Sequence, residues 1–128
     1  MTYFQAEDVL VSNIRPYFKK MWFATTAGGC NADVLCFRAL DKKYSYLLKS
    51  IIYQDSFFDY VMSGAKGTKM PRGDKTHIMQ YQVPCFSESQ LHKFNSLAST
   101  IERNQAQNRR EISALENAKE MLLATLSR

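Results

Sequence analysis

From Ser87 to Arg128 the chain contains neither proline nor glycine, and its apolar residues recur at alternating spacings of three and four. Leu91, Phe94, Ala98, Ile101, Gln105, Asn108, Ile112, Leu115, Lys119, Leu122 and Leu126 fall on one seam of a helix, the pattern of a strip that packs against another helix. Ser87 offers a side-chain oxygen to the orphan amides of a first turn, and Gln90, three residues on, can reach back to the Ser87 backbone, so the helix starts with a capping box. The spacing therefore predicts one long C-terminal helix over 87–128, of coiled-coil type. Polar residues at Gln105, Asn108 and Lys119 break the seam, and it falls short of the roughly 20 consecutive apolar residues that a membrane span requires. No membrane partner is expected.

A helix this long can fold back on its own domain or pair with a partner. The preceding 86 residues are few for a core that would cover it, and an isolated strip of this kind needs a neighbour, so pairing is the expectation. The interface predicted is Leu91, Phe94, Ala98, Ile101, Gln105, Asn108, Ile112, Leu115, Leu122 and Leu126. An antiparallel homodimer is preferred, because it brings Gln105 and Asn108, near the midpoint, against their counterparts. A sheared register would set them against Ile or Leu at about 1 to 3 kcal/mol per unsatisfied group.

Composition separates the same two parts. Residues 1–86 hold eleven Lys or Arg against seven Asp or Glu, and fifteen of the sixteen aromatic residues, whereas 87–128 hold six against five and only Phe94. The core therefore lies before Pro84, and the globular part is the basic part, a balance compatible with nucleic acid. Cys30, Cys36 and Cys85 are odd in number and form no C-x-x-C, and His77 and His92 stand alone, so neither a disulfide framework nor a metal site is expected. Glu7 and Asp8 stand where a signal peptide would be apolar, so a reducing, cytoplasmic setting is expected.

Within 1–86 the pattern is α+β. Asp8–Ser12, Met21–Thr25 and Asp33–Ala39 are short runs rich in apolar and β-branched residues and predict three strands, with Gly28 and Gly29 marking a turn. Leu47, Leu48, Ile51 and Ile52 predict a helix over 44–53, and Asp55 is expected to cap a second through Phe57, Phe58, Val61 and Met62. Gly64–Gly73 reads as an exposed loop, Asp74 as the cap of a short helix through Ile78, and Gln80–Pro84 as extended.

The motifs of the common hydrolases, metalloproteases, phosphate-loop enzymes and amino-methyltransferases are missing, and no enzyme or cofactor is expected. Asp33 with Asp41-Lys42-Lys43 is a sparse nuclease-like set that arises easily by chance, and a solvated turn is the expectation. Two basic clusters are candidates for DNA contact. Lys66, Lys69 and Arg72 lie on a glycine-rich loop whose backbone can approach phosphates, with a solvated loop as the alternative. Arg15, Lys19 and Lys20 interleave with Tyr17 and Phe18, rings that can stack on bases or pack inward; inward packing is expected for Phe18.

In order and spacing, Asp8-Val9-Leu10-Val11-Ser12, Phe57-Phe58-Asp59-Tyr60-Val61, Gly67-Thr68-Lys69-Met70-Pro71-Arg72 and Val83-Pro84-Cys85-Phe86-Ser87-Glu88 before a long helix resemble the specificity subunit of type I restriction-modification enzymes. Cys85 stands in place of a second proline and Phe86-Ser87-Glu88-Ser89 in place of the family's L-x-E-Q. The resemblance implies a non-catalytic reader of double-stranded DNA, with 1–86 as part of a target recognition domain and 87–128 as the spacer and dimerisation helix. Modification (methyltransferase) and restriction subunits would be its partners. Met1 lies only a few residues before the first matching strand, which implies the distal part of one such domain, and Trp22 is expected at an incomplete edge. A coiled-coil interaction module without DNA binding is the alternative.

Overall fold

The computed structural model describes residues 1–127. The fold is α+β with one long C-terminal helix, in two compact units: Met1–Leu91, and the remainder of the helix from His92 onward.

The centre of the first unit is a three-stranded antiparallel sheet. Its middle strand is β2 (Val9–Ser12), flanked by β3 (Met21–Phe23) and β5 (Val34–Phe37). Register explains the core: Val9 stands opposite Phe23 and Phe37, and Val11 opposite Met21 and Leu35. Because strand side chains alternate between faces, these six fall on one face. Against that face pack Leu48 and Ile52 of α1 (Ser45–Ile52), Phe57, Phe58 and Val61 of α2 (Asp55–Ser63), and Ile78 of α3 (Lys75–Ile78). Burying a Phe of this kind contributes about 2 to 3 kcal/mol relative to leaving it in water.

The opposite face holds a polar anchor. Asp8, only 1% exposed, accepts Nε of Arg38 at 2.9 Å on Oδ1, and on Oδ2 accepts Nη2 of Arg38 at 2.7 Å, the Gln5 amide at 2.9 Å and the Cys36 thiol at 3.4 Å. The Arg38 guanidinium outweighs the cost of burial and holds this carboxyl below its ordinary range. Burial, with Asp8 beside it, pushes the Cys36 thiol up to about 11.

Several expectations are corrected. Gly28 and Gly29 lie within a strand, β4 (Gly28–Cys30), which pairs antiparallel with β1 (Thr2–Phe4), an element whose three residues are too few for a period to show. Phe4 meets Trp22 edge-on at 5.6 Å, while Trp22 itself stays partly exposed on β3. Lys42–Tyr44 is a single 3-10 turn capped by Asp41, whose Oδ1 accepts the Lys43 amide at 3.0 Å. Asp55 is the first residue of α2 rather than its cap; Gln54 occupies the cap position, and its side chain accepts no backbone amide of the first turn. Asp74 caps α3 as expected, accepting the Thr76 amide at 3.2 Å.

α4 runs over Glu88–Leu126, 39 residues or about 58 Å. Its start is the expected capping box: the Ser87 amide donates to Gln90 Oε1 at 3.0 Å and the Gln90 amide to Ser87 Oγ at 3.2 Å. Lys43 Nζ donates to Glu88 at 3.1 Å, and Leu91 is buried, so the first turn belongs with the globular unit. No helix among the described residues is long and apolar enough to cross a membrane.

Candidate nucleic-acid interface

The end of β2 is where the two basic clusters meet. Asn13 is nearly buried and its side chain is used twice: Nδ2 donates to Gly73 O at 3.1 Å, and Oδ1 accepts the Gly73 amide at 3.1 Å. Two residues on, the Arg15 amide donates to Pro71 O at 2.8 Å, and Ile14 faces Arg72 across an antiparallel bridge. Thus segment 13–15 is laced to segment 71–73. Glycine at 73 permits this close approach, since a β-carbon there would sit 2.6 Å from Asn13 Oδ1 and 3.0 Å from side-chain carbons of Val61 and Ile78, which would have to shift.

The loop is more ordered than its composition implies. Lys66 and Arg72 exchange two backbone hydrogen bonds of 2.9 Å, closing it into a narrow arch, and Pro71 is buried beneath. Gly67, inside the arch, has φ 101°, a conformation that side-chain-bearing residues rarely adopt. Lys66 and Lys69 stand exposed on the arch and make no ion pair among the described residues.

The other cluster occupies the 3-10 turn Pro16–Phe18 and its flanks. Pro16 is buried, and Arg15 and Lys19 on either side are both left-handed, with φ 50° and 52°. The Ser12 amide bonds Lys20 O at 3.0 Å, so this turn too is tied to the end of β2. The expectation that Phe18 packs inward is overturned: it is 57% exposed and Tyr17 46%, their ring centroids 4.7 Å apart, because Pro16 takes the inward position of the turn. Lys20 Nζ lies 5.8 Å from the Phe18 ring centroid.

Of the six cations singled out from the sequence, two have carboxylate partners among the described residues. Lys19 Nζ meets Asp55 Oδ1 at 2.6 Å, and Arg72 is ion-paired with Asp33, whose carbonyl also accepts the Asn13 amide at 2.8 Å. Arg15, Lys20, Lys66 and Lys69 therefore supply the uncompensated positive charge of this end of the sheet. Such a surface, joined from backbone that is stitched together, is suited to contacts with a row of phosphates. Asn13 is the organiser that sequence reasoning missed; the signal available was a polar side chain directly after an apolar strand, two residues before Arg15-Pro16.

Asp33 and Asp41 are thus occupied, one by Arg72 and one by the Lys42–Tyr44 turn. Among the described residues no three His, Cys, Asp or Glu side chains are grouped to hold a metal ion.

On α4, Leu91 is corrected out of the predicted interface, because it is only 4% exposed within the globular unit. Phe94 and Ala98 are half-buried, and Ile101, Gln105, Asn108, Ile112, Leu115, Lys119, Leu122 and Leu126 are exposed. Met121 and Leu123, outside the predicted seam, are exposed as well and widen the apolar surface near the C-terminal end.

No family model, no curated protein and no solved structure matches this chain.

Proposed function

We propose that this protein is a non-catalytic DNA-recognition subunit or half-subunit of the type I restriction-modification kind. In this reading the basic face of 1–86 contacts double-stranded DNA, α4 pairs with a second copy, and modification and restriction subunits are the further partners. The observation that supports it is the lacing of 13–15 to 71–73, which brings together the segments that carry two cation clusters some fifty residues apart in sequence. The apolar side chains exposed along α4, above all Leu115 at 70% and Leu122 at 65%, support pairing through the helix. Antiparallel pairing sets Gln105 and Asn108 near their counterparts and gives a two-fold particle suited to two half-sites.

The test is binding to random-sequence duplex DNA across a salt series. Wild type should bind with a steep decline as salt rises, and Lys66→Ala/Lys69→Ala should lower the slope of log affinity against log salt by about 0.9 for each phosphate no longer neutralised. Both side chains are exposed, so the variant should keep its fold. Absence of salt-dependent binding by wild type would leave the helix-mediated interaction module as the better description.

A further inference from the structure

The turn Pro16–Phe18 does more than the proposed phosphate contacts require. Its backbone is fastened at three points: Pro16 is buried, the Arg15 amide holds Pro71 O, and the Ser12 amide holds Lys20 O. Within the turn, Phe18 N donates to Arg15 O at 3.0 Å and Lys19 N to Pro16 O at 2.9 Å. Arg15 and Lys19, neither of them glycine, are both left-handed, a conformation costly for such residues and one that persists where surrounding structure enforces it, often at functional positions. The bonds from the Arg15 amide to Pro71 O and from the Ser12 amide to Lys20 O are such restraints. What this framework presents to solvent is a pair of touching aromatic rings, Tyr17 and Phe18.

The neighbours of the rings point to what they meet. Lys20 stands over Phe18, and Arg15 precedes the turn while bonded to the arch that carries Lys66 and Lys69. Exposed aromatic faces rimmed by cations are complementary to a flat base attached to a phosphate, and such rings can enter a base step as a wedge. Resting on the DNA reading of the basic face, we infer that Phe18, backed by Tyr17, is a stacking wedge that takes the place of a neighbouring base where the duplex is unstacked.

A wedge should prefer DNA in which the stack is already interrupted, since the unstacking cost is then smallest. The full-length chain is titrated with a fully paired random duplex and with the same duplex bearing one bulged nucleotide. Wild type should bind the bulged duplex at least about five-fold more tightly, and Phe18→Ala should bind the two alike while keeping the wild-type salt slope. Phe18 is exposed, so this variant leaves the core untouched; Tyr17→Phe should keep the preference. Equal binding of both duplexes by wild type, or a preference that survives in Tyr17→Ala/Phe18→Ala, overturns the wedge while leaving the phosphate-binding face standing. Failure of either duplex to bind in a salt-dependent way overturns both.

Discussion

The globular unit and the long helix are held in opposite ways. Within Met1–Leu91 the polar contacts that matter span long stretches of sequence: Asn13 to Gly73, Asp33 to Arg72, Lys19 to Asp55, Asp8 to Arg38. Along α4 beyond its capping box, the side-chain hydrogen bonds described are local, such as Thr100 to Ser96, Gln107 to Glu111 and Thr125 to Met121, each a single turn apart. The apolar residues divide likewise. Val9, Ile52, Phe57 and Phe58 are buried, while Ile112, Leu115, Leu122 and Leu126 lie open. The first unit builds a core from its own residues; the helix beyond Leu91 has regular backbone bonding but leaves an apolar strip exposed, the surface on which the proposed pairing would draw.

The sharpest test of that contrast is a matched pair of truncations. Phe58→Ala should cost about 3 to 5 kcal/mol in urea unfolding of the globular unit, since it empties a fully buried site. Leu122→Ala should leave that transition in place and instead weaken self-association, read by sedimentation velocity. An unfolding midpoint equally sensitive to both would erase the distinction.

The Asp8 anchor yields the next effect. Because Arg38 depresses the Asp8 carboxyl, its stabilisation is present in full above the ordinary carboxylate range near pH 4, and is lost as pH falls through the lower folded-state value. Asp8→Ala, which leaves the Arg38 and Gln5 donors without their acceptor, should cost about 2 to 4 kcal/mol at pH 7 and flatten the acid limb of the stability profile. A variant with an unchanged acid limb would show that the bidentate pair does not set it.

A smaller effect isolates the joint between the clusters. Asn13→Ala removes no charge, but it leaves the Gly73 amide and carbonyl without their partner, at about 1 to 3 kcal/mol. If lacing is what makes one surface of two, the variant should bind duplex DNA with a shallower salt slope at temperatures where it stays folded, as circular dichroism would verify. An unchanged slope would mean that each cluster acts alone.

How much was legible follows from the range of the contacts. The capping box at Ser87 and Gln90, the 3-4 spacing of Ile101 through Leu126, and the alternation of Val9 and Val11 are written in neighbouring residues, so α4, the central strand and the core helices could be read directly. Phe18 shows where such reading stops. An aromatic beside lysines carries no local sign of facing out; the buried Pro16 and the left-handed residues around it decide the matter.

Leu91 makes the complementary point, being indistinguishable by spacing from Leu115 yet buried, while Leu115 is open. What the sequence determined by itself was the class of fold, the site of the core and the existence of a long helix with an apolar strip, because these rest on periodicities within a few turns or strand residues. Only the tertiary structure decided which cations keep their charge available, since Asp33 and Asp55 reach Arg72 and Lys19 across 39 and 36 residues. It also decided that the segments carrying the two basic clusters lie side by side, because a pair of hydrogen bonds from Asn13 to a glycine 60 residues away has no signature in any local pattern.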